Sequence, residues 1–287
     1  MTVSAFDLHL PGRRDTAVIF ASPHSGRDYP AAFLGQSVLD ARAIRSSEDA
    51  FVDLLWDDAP QFGAPLLAAR APRAWLDLNR AADELDPALV EGVRHGALNP
   101  RVSSGLGVIP RVVSNGRAIY RGRLSRAEAE ARIDSHWRPY HAALQRLIDE
   151  SRAGFGEALL IDCHSMPHEA IAAHARPGQP VPEVVLGDRF GAAADPALVE
   201  RIEAAFLRAG FLVARNTPFA GAYVTQAYGR PSRGQHVVQV EIDRALYMDE
   251  NRIRPLPGFA ALRARLTGVI AEIAAAGRRR AAALAAE

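Results

Sequence analysis

The residues best equipped for chemistry stand at the ends of apolar runs. Residues 158 to 166, ALLIDCHSM, lead from four apolar residues into Asp162, Cys163, His164 and Ser165, and residues 17 to 22, AVIFAS, stop at Pro23 and deliver His24 into the turn PHSGRDYP. Both runs read as buried strands. Residues 236 to 242, HVVQVEI, alternate with period two, which puts Gln239 and Glu241 on one face and Val238 and Val240 on the other. Two imidazoles and a carboxylate form the donor set of a catalytic zinc, which takes neutral His nitrogens and an acid and keeps one position open. The separations obey no short rule of the H-E-x-x-H kind. Cys163 or Ser165 as a nucleophile, and an ordinary polar turn, therefore stay open as alternatives. Cys163 reads better as a small buried thiol, and Ser165 lacks the G-x-S-x-G elbow. Asp162 can orient an imidazole or cap a turn.

Other segments supply the acids, cations and amides such a centre needs. Ser46 and Ser47 can cap a helix that carries Phe51, Leu54 and Leu55 at helical spacing, with Glu48 and Asp49 in its first turn. The run APLLAARAPRAWLDLNRAADELDP begins like a strand, breaks at Pro72 and resumes at Trp75 to Leu78, delivering Asn79 and Arg80 at what reads as a second strand end. Arg73, Asn79 and Arg80 together suit a substrate carboxylate. Glu241 can serve as a general base or as a structural acid paired with Arg244. In NTPFAGAYVTQAYGRP, the groups Asn216, Thr217, Tyr223 and Thr225 can line a pocket, and Gly221 can let backbone approach a ligand; loop chemistry explains each equally well.

The elements that must position these groups alternate along the chain. Residues 101 to 123 read as an irregular connector with a hairpin around VVSNGRAIY. Residues 125 to 152 read as one or two amphipathic helices, with Ser125 as N-cap, Glu128 at the capping-box position and a break at Pro139. EVVLGDRFG is a strand, residues 194 to 209 a helix ending at Gly210, FLVAR a strand, and residues 258 to 287 an Ala-rich helix. This pattern predicts a single α/β domain over residues 1–287, a three-layer α/β/α sandwich around a mixed sheet. Its site would lie at the carboxyl ends of the strands, where His24, Arg80 and His164 all fall.

Composition excludes several function classes. With 287 residues, 48% hydrophobic and 23% charged, the chain can bury a full core and is not disordered. A net charge of +1, carried by Arg without any Lys, lacks the basic excess of a nucleic-acid binder. The single Cys163 rules out an intramolecular disulfide and a Cys-rich zinc knuckle, and fits a reducing cytoplasm. No apolar stretch reaches the ~18 residues of a membrane span, and the first residues lack the apolar region of a secretory signal. A soluble, cytoplasmic protein is expected.

Nine segments, in order over about residues 20 to 250, resemble the N-formylglutamate amidohydrolase (N-formylglutamate deformylase) family: SPHSGRDYP, SSEDAFVDLLW, RAPRAWLDLNRAADELDP, GLGVIPR, RPYHAALQRLI, LLIDCHSMP, VVLGDRFG, NTPFAGAYVTQAYGRP and VQVEIDRALYMDE. The resemblance implies a zinc-dependent hydrolase with a zinc-exopeptidase-like fold, similar also to aspartoacylase and succinylglutamate desuccinylase. It implies one Zn2+, or another divalent metal, held by His24, His164 and an acid, with Glu241 as base. It also implies Arg73 on the scissile carbonyl, and Asn79 and Arg80 on a substrate carboxylate. Relatives with an H-x-x-E pattern take their acid three residues after the first His, where this chain has Arg27. The acid is therefore expected at Asp49, with Glu48 as the alternative. The expected reaction is hydrolysis of N-formyl-L-glutamate to formate and L-glutamate, as a step of histidine catabolism. An N-acyl amino acid hydrolase of other specificity and a non-catalytic metal or amino-acid binder are the competing readings.

Overall fold

The strands, in chain order, are β1 (Phe6–His9), β2 (Val18–Ser22), β3 (Leu66–Ala69), β4 (Ala158–Met166), β5 (Val184–Gly187), β6 (Val213–Arg215) and β7 (Gln235–Asp243). They form one sheet in the order β1-β3-β2-β4-β7-β5-β6. Strands β3, β2, β4 and β7 run parallel, while β1 lies antiparallel to β3 and β5 antiparallel to β7. The sheet is therefore mixed. The computed structural model describes residues 4–94, 99–113, 116–174, 178 and 180–278.

Side-chain alternation sorts the strands' residues into two cores. Val18, Phe20, Leu159, Ile161, Cys163, Val238, Val240 and Ile242 pack on one face, beneath helices Pro196–Arg208 and Phe259–Ala276. Ile19, Ala21, Leu160 and Val237 pack on the other, beneath helix Arg138–Phe155. The central strands are apolar on both faces, as a parallel sheet covered on both sides requires, and the architecture is a three-layer α/β/α sandwich. Asp162, His164, Gln239 and Glu241 share the parity of Leu160 and Val237 and so face the second layer. Strands β4 and β7 pair over nine residues, setting Asp162 opposite Gln239 and His164 opposite Glu241.

Several elements differ from the sequence reading. Trp75 to Leu78 forms no strand: residues 73–75 and 78–79 are turns, and the Trp75 and Leu76 amides both bond back to the Pro72 carbonyl. Arg80 therefore lies on a loop after β3, not at a strand end. Glu48 and Asp49 do not open a helix. The Ser46 hydroxyl bonds back to the Ala43 carbonyl, the Asp49 N–H donates to the His24 carbonyl, and Phe51 takes φ 67°, so the helix begins only at Val52. The hairpin near residue 115 reduces, among the described residues, to one bridge between Val112 and Ala118. Helix 126–155 is continuous through Pro139. It starts at the Ser125 cap, whose hydroxyl accepts the Glu128 N–H, and passes through a π-helical turn at Ile133–Trp137. The last helix stops at Ala276, because the Gly277 carbonyl accepts the Ala17 N–H and a Cβ there would come within 2.6 Å of Val18. Residues 279–287 of the expected helix lie outside the described residues. No described helix is long and apolar enough to cross a membrane.

Candidate active site

The turn after β2 and the last third of β4 bring two imidazoles together, with ring centroids 4.7 Å apart. Between them stands Asp49. Its Oδ2 lies 2.9 Å from His164 Nδ1 and 3.4 Å from His24 Nδ1. One ligand atom from each of His24, Asp49 and His164 falls within 4.8 Å of the others, and all three residues are buried. Glu48, by contrast, turns away and binds Tyr29 and Arg45.

The surroundings fit a divalent cation. His24 Nε2 lies 2.7 Å from Asp77 Oδ1. A carboxylate only accepts, so Nε2 carries the proton and Nδ1 presents its lone pair toward Asp49. His24 Nδ1 is itself buried with no hydrogen-bond partner among the described residues. On His164, Nε2 lies 3.1 Å from both Asp162 Oδ2 and Asn79 Nδ2, which leaves Nδ1 facing Asp49. Four carboxylates are buried here, those of Asp49, Asp77, Asp162 and Glu241. Arg73 pairs with Asp77 at 3.1 Å and Arg244 with Asp49 at 2.9 Å, while Asp162 and Glu241 have no guanidinium partner among the described residues. Asp162 and Glu241 thus stand beside the two imidazoles without a guanidinium of their own, a surrounding that suits a bound cation. The electrostatics of His164 tell the same story. Burial alone would lower its pKa, yet Asp162, Asp49 and Glu241 hold it well above the usual imidazole range. The position between its Nδ1 and Asp49 calls for positive charge, which a proton or a metal ion can supply.

Glu241 stands beside this group on β7. Burial pushes its carboxyl up to about 7, with His164 pulling down and Asp49 adding to the rise. It accepts a hydrogen bond from Gln239 Nε2 at 2.8 Å. Arg244 is not its partner: that guanidinium serves Asp49 and the Ser165 hydroxyl. Cys163 points into the opposite core, and burial pushes its thiol pKa up, so it is packing and not a nucleophile.

These groups open into a cavity of about 330 Å³ that His24, Asp49, Arg73, Asn79, Arg80, His164, Gly221 and Glu241 all line. Asn79 faces protein on both sides: its Nδ2 lies 3.1 Å from His164 Nε2 and its Oδ1 accepts the Val224 N–H at 2.8 Å. Arg80 is held through its backbone from the covering helix. Trp137 Nε1 donates to the Arg80 carbonyl at 2.9 Å, and His141 Nε2 donates to the Leu78 carbonyl at 2.9 Å while its Nδ1 accepts from Tyr228. Burial lowers the His141 pKa to about 4, consistent with that neutral role. Gly221 reaches the wall with φ 106°, where a Cβ would sit 2.5 Å from Thr225 Oγ1. That geometry requires glycine.

Asn216, Thr217 and Tyr223 are not brought to the cavity. The Asn216 side chain accepts the Asp188 N–H and donates back to the Asp188 carboxylate, spending itself on its own loop. Tyr223 packs against Trp137 and His141, and Thr217 precedes the wall residue Pro218. Sequence reasoning passed over Asp77, Trp137, His141 and Arg101, which also lines the cavity, and of its two readings of Glu241 the structural pairing with Arg244 is not formed. Asp77 carried a signal, an acid between the buried Leu76 and Leu78; the others act over distances that no local pattern encodes.

Comparison with known proteins agrees over most of the chain. The N-formylglutamate amidohydrolase family model matches residues 16–248. An N-formylglutamate deformylase of Pseudomonas aeruginosa is 33% identical over 237 residues, covering 81% of this chain and 82% of that one. One of Pseudomonas putida is 31% identical over 236 residues with the same coverage. The crystal structure of an N-formylglutamate amidohydrolase from Ralstonia eutropha superimposes with a TM-score of 0.89 at 36% identity, over 96% of this chain and 99% of that one. A gene product of Agrobacterium tumefaciens shares the fold at a TM-score of 0.64 and 19% identity. The chain belongs to the N-formylglutamate amidohydrolase family and is a hydrolase of amide bonds.

Proposed function

We propose that this chain hydrolyses N-formyl-L-glutamate to formate and L-glutamate, using a divalent metal, Zn2+, held by His24, Asp49 and His164. The observation that carries the reading is the convergence of those three donor atoms within 4.8 Å, next to a carboxyl whose pKa is pushed up to about 7. Family membership supplies the substrate.

The metal would supply Lewis-acid polarisation and make water more acidic. Glu241 takes a proton from the water that attacks the formyl carbon and returns it to the amine nitrogen as the C–N bond breaks. A carboxyl near pH 7 suits both transfers. Arg73, oriented by Asp77, faces the cavity and carries the charge developing on the former carbonyl oxygen. Arg80 holds the substrate's α-carboxylate, with Asn79 setting the wall between it and His164. Asp77 and Asp162 fix both imidazoles with Nδ1 toward Asp49.

Formate release from N-formyl-L-glutamate, N-formyl-L-aspartate, N-acetyl-L-glutamate and N-succinyl-L-glutamate, read alongside product amine, tests this. The first is expected to give the highest kcat/KM. A higher value on any of the other three would replace the proposal with a broader N-acyl amino acid hydrolase.

A further inference from the structure

Four guanidiniums reach the cavity, those of Arg73, Arg80, Arg101 and Arg244. Two of them are answered by carboxylates, Arg73 by Asp77 and Arg244 by Asp49. Arg80 and Arg101 form no ion pair among the described residues. Arg80 is 6% exposed, and its Nε and Nη1 are spent on the uncharged carbonyls of Leu106 and Asn79, at 2.9 and 2.6 Å. Burial pulls its pKa down. Asp77 opposes that fall, and the like charges of Arg73 and Arg101 add to it.

The two unmatched arginines are built into one wall. The Leu106 carbonyl that accepts from Arg80 belongs to a residue whose N–H donates to the Arg101 carbonyl at 2.8 Å. Asn99 caps the turn at the Arg101 N–H, at 3.0 Å, and its amide reaches back to Glu84. Gly107 passes so close to the loop bearing Arg80 that a Cβ would sit 2.4 Å from the Glu84 carbonyl oxygen. Holding two like charges side by side on a rigid wall costs free energy, and anionic ligand groups relieve it. The pair also has a direction. Arg80 is buried next to Asn79, which touches His164, whereas Arg101 is exposed and so marks the mouth of the cleft.

We infer that Arg101 is a specificity-determining residue that binds the substrate's side-chain carboxylate, so that the cleft selects N-acyl amino acids carrying two carboxylates. The inference rests on the proposed function, in which the scissile amide lies at the His24–Asp49–His164 end. The α-carboxylate, adjacent to that amide, then meets Arg80, and the far carboxylate meets Arg101 in a charge-assisted, forked contact.

The test compares kcat/KM on N-formyl-L-glutamate and N-formyl-L-glutamine, which differ only in a distal carboxylate against its near-isosteric neutral amide, for the parent, Arg101→Gln and Arg101→Lys. The parent is expected to prefer formylglutamate by about 10- to 100-fold. Arg101→Gln should erase most of that preference through KM on formylglutamate and leave formylglutamine turnover near its parent value. Arg101→Lys keeps the charge without the fork and should fall between. Equal losses on both substrates, or a preference that survives Arg101→Gln, would overturn the inference and leave the proposed function standing. A parent that hydrolyses neither compound would instead overturn the proposed function, and the inference with it. Because Arg101 is exposed, its variants should unfold at the parent temperature, which a melting curve checks alongside.

Discussion

The two ends of the cleft are built on different principles. At the strand end, Asp162, His164, Gln239 and Glu241 ride on β4 and β7, in a ladder that pairs the two strands residue by residue. There two of the four buried carboxylates, Asp162 and Glu241, lack a guanidinium partner among the described residues. At the loop end, Arg80 on a loop and Arg101 on the one-turn helix Pro100–Ser103 lie between β3 and helix Arg126–Arg132, outside the sheet, and neither guanidinium has a carboxylate partner among the described residues. An electron-rich end suits a cation and the bond-breaking step. An electron-poor end suits the anionic body of a substrate. The opposite charge imbalances orient a dicarboxylate with its amide toward the strands.

The largest effect should come from the strand end. Glu241→Gln keeps the shape and the Gln239 contact but removes the base, and is expected to lower kcat by about 10²- to 10⁴-fold with metal content unchanged. The parent's rate should carry the matching pH signature. Only the ionised carboxylate accepts a proton, so kcat/KM falls as pH drops through the Glu241 pKa. That limb should lie at or below about 7, because a bound cation would pull the carboxyl lower. A variant with near-parent kcat would remove Glu241 from the reaction and leave the strand end as a metal holder alone.

A smaller effect should come from the tethers at the loop end. Trp137→Phe keeps an aromatic ring beside His141 and removes the indole N–H that reaches the Arg80 carbonyl, together with the second ring of the indole. Loss of one neutral hydrogen bond is expected to raise KM by up to about tenfold with kcat nearly unchanged. A fall in kcat at constant KM would mean that the loop end shapes the chemical step, and the contrast between the two ends would dissolve.

What the sequence made legible follows the same divide. His24 and His164 end apolar runs, and Glu241 alternates with buried valines, so the period of a strand pointed to all three. The acid between the imidazoles could not be found that way. Asp49 lies on an irregular turn whose conformation depends on the His24 carbonyl and on Phe51 at positive φ, and it was the family resemblance that singled it out over Glu48. On the loop side, the strand-like reading of Trp75 to Leu78 failed because its apolar side chains pack beneath a turn folded onto Pro72. Asn216 and Tyr223 look like pocket residues by type, yet their partners, Asp188 and the Trp137–His141 pair, come from distant parts of the chain. Arg101 escaped notice because a missing counter-charge is a property of the assembled wall and of no segment within it.

The central claim, that His24, Asp49 and His164 form a metal centre on which hydrolysis depends, is tested most directly by metal titration. The protein is stripped with a chelator, dialysed and reloaded with Zn2+, while formate release from N-formyl-L-glutamate is followed. The account predicts negligible turnover in the stripped protein, recovery in proportion to added metal up to one ion per chain, and no recovery in His164→Ala over the same range. Full turnover by the stripped protein, or equal recovery in His164→Ala, would contradict it.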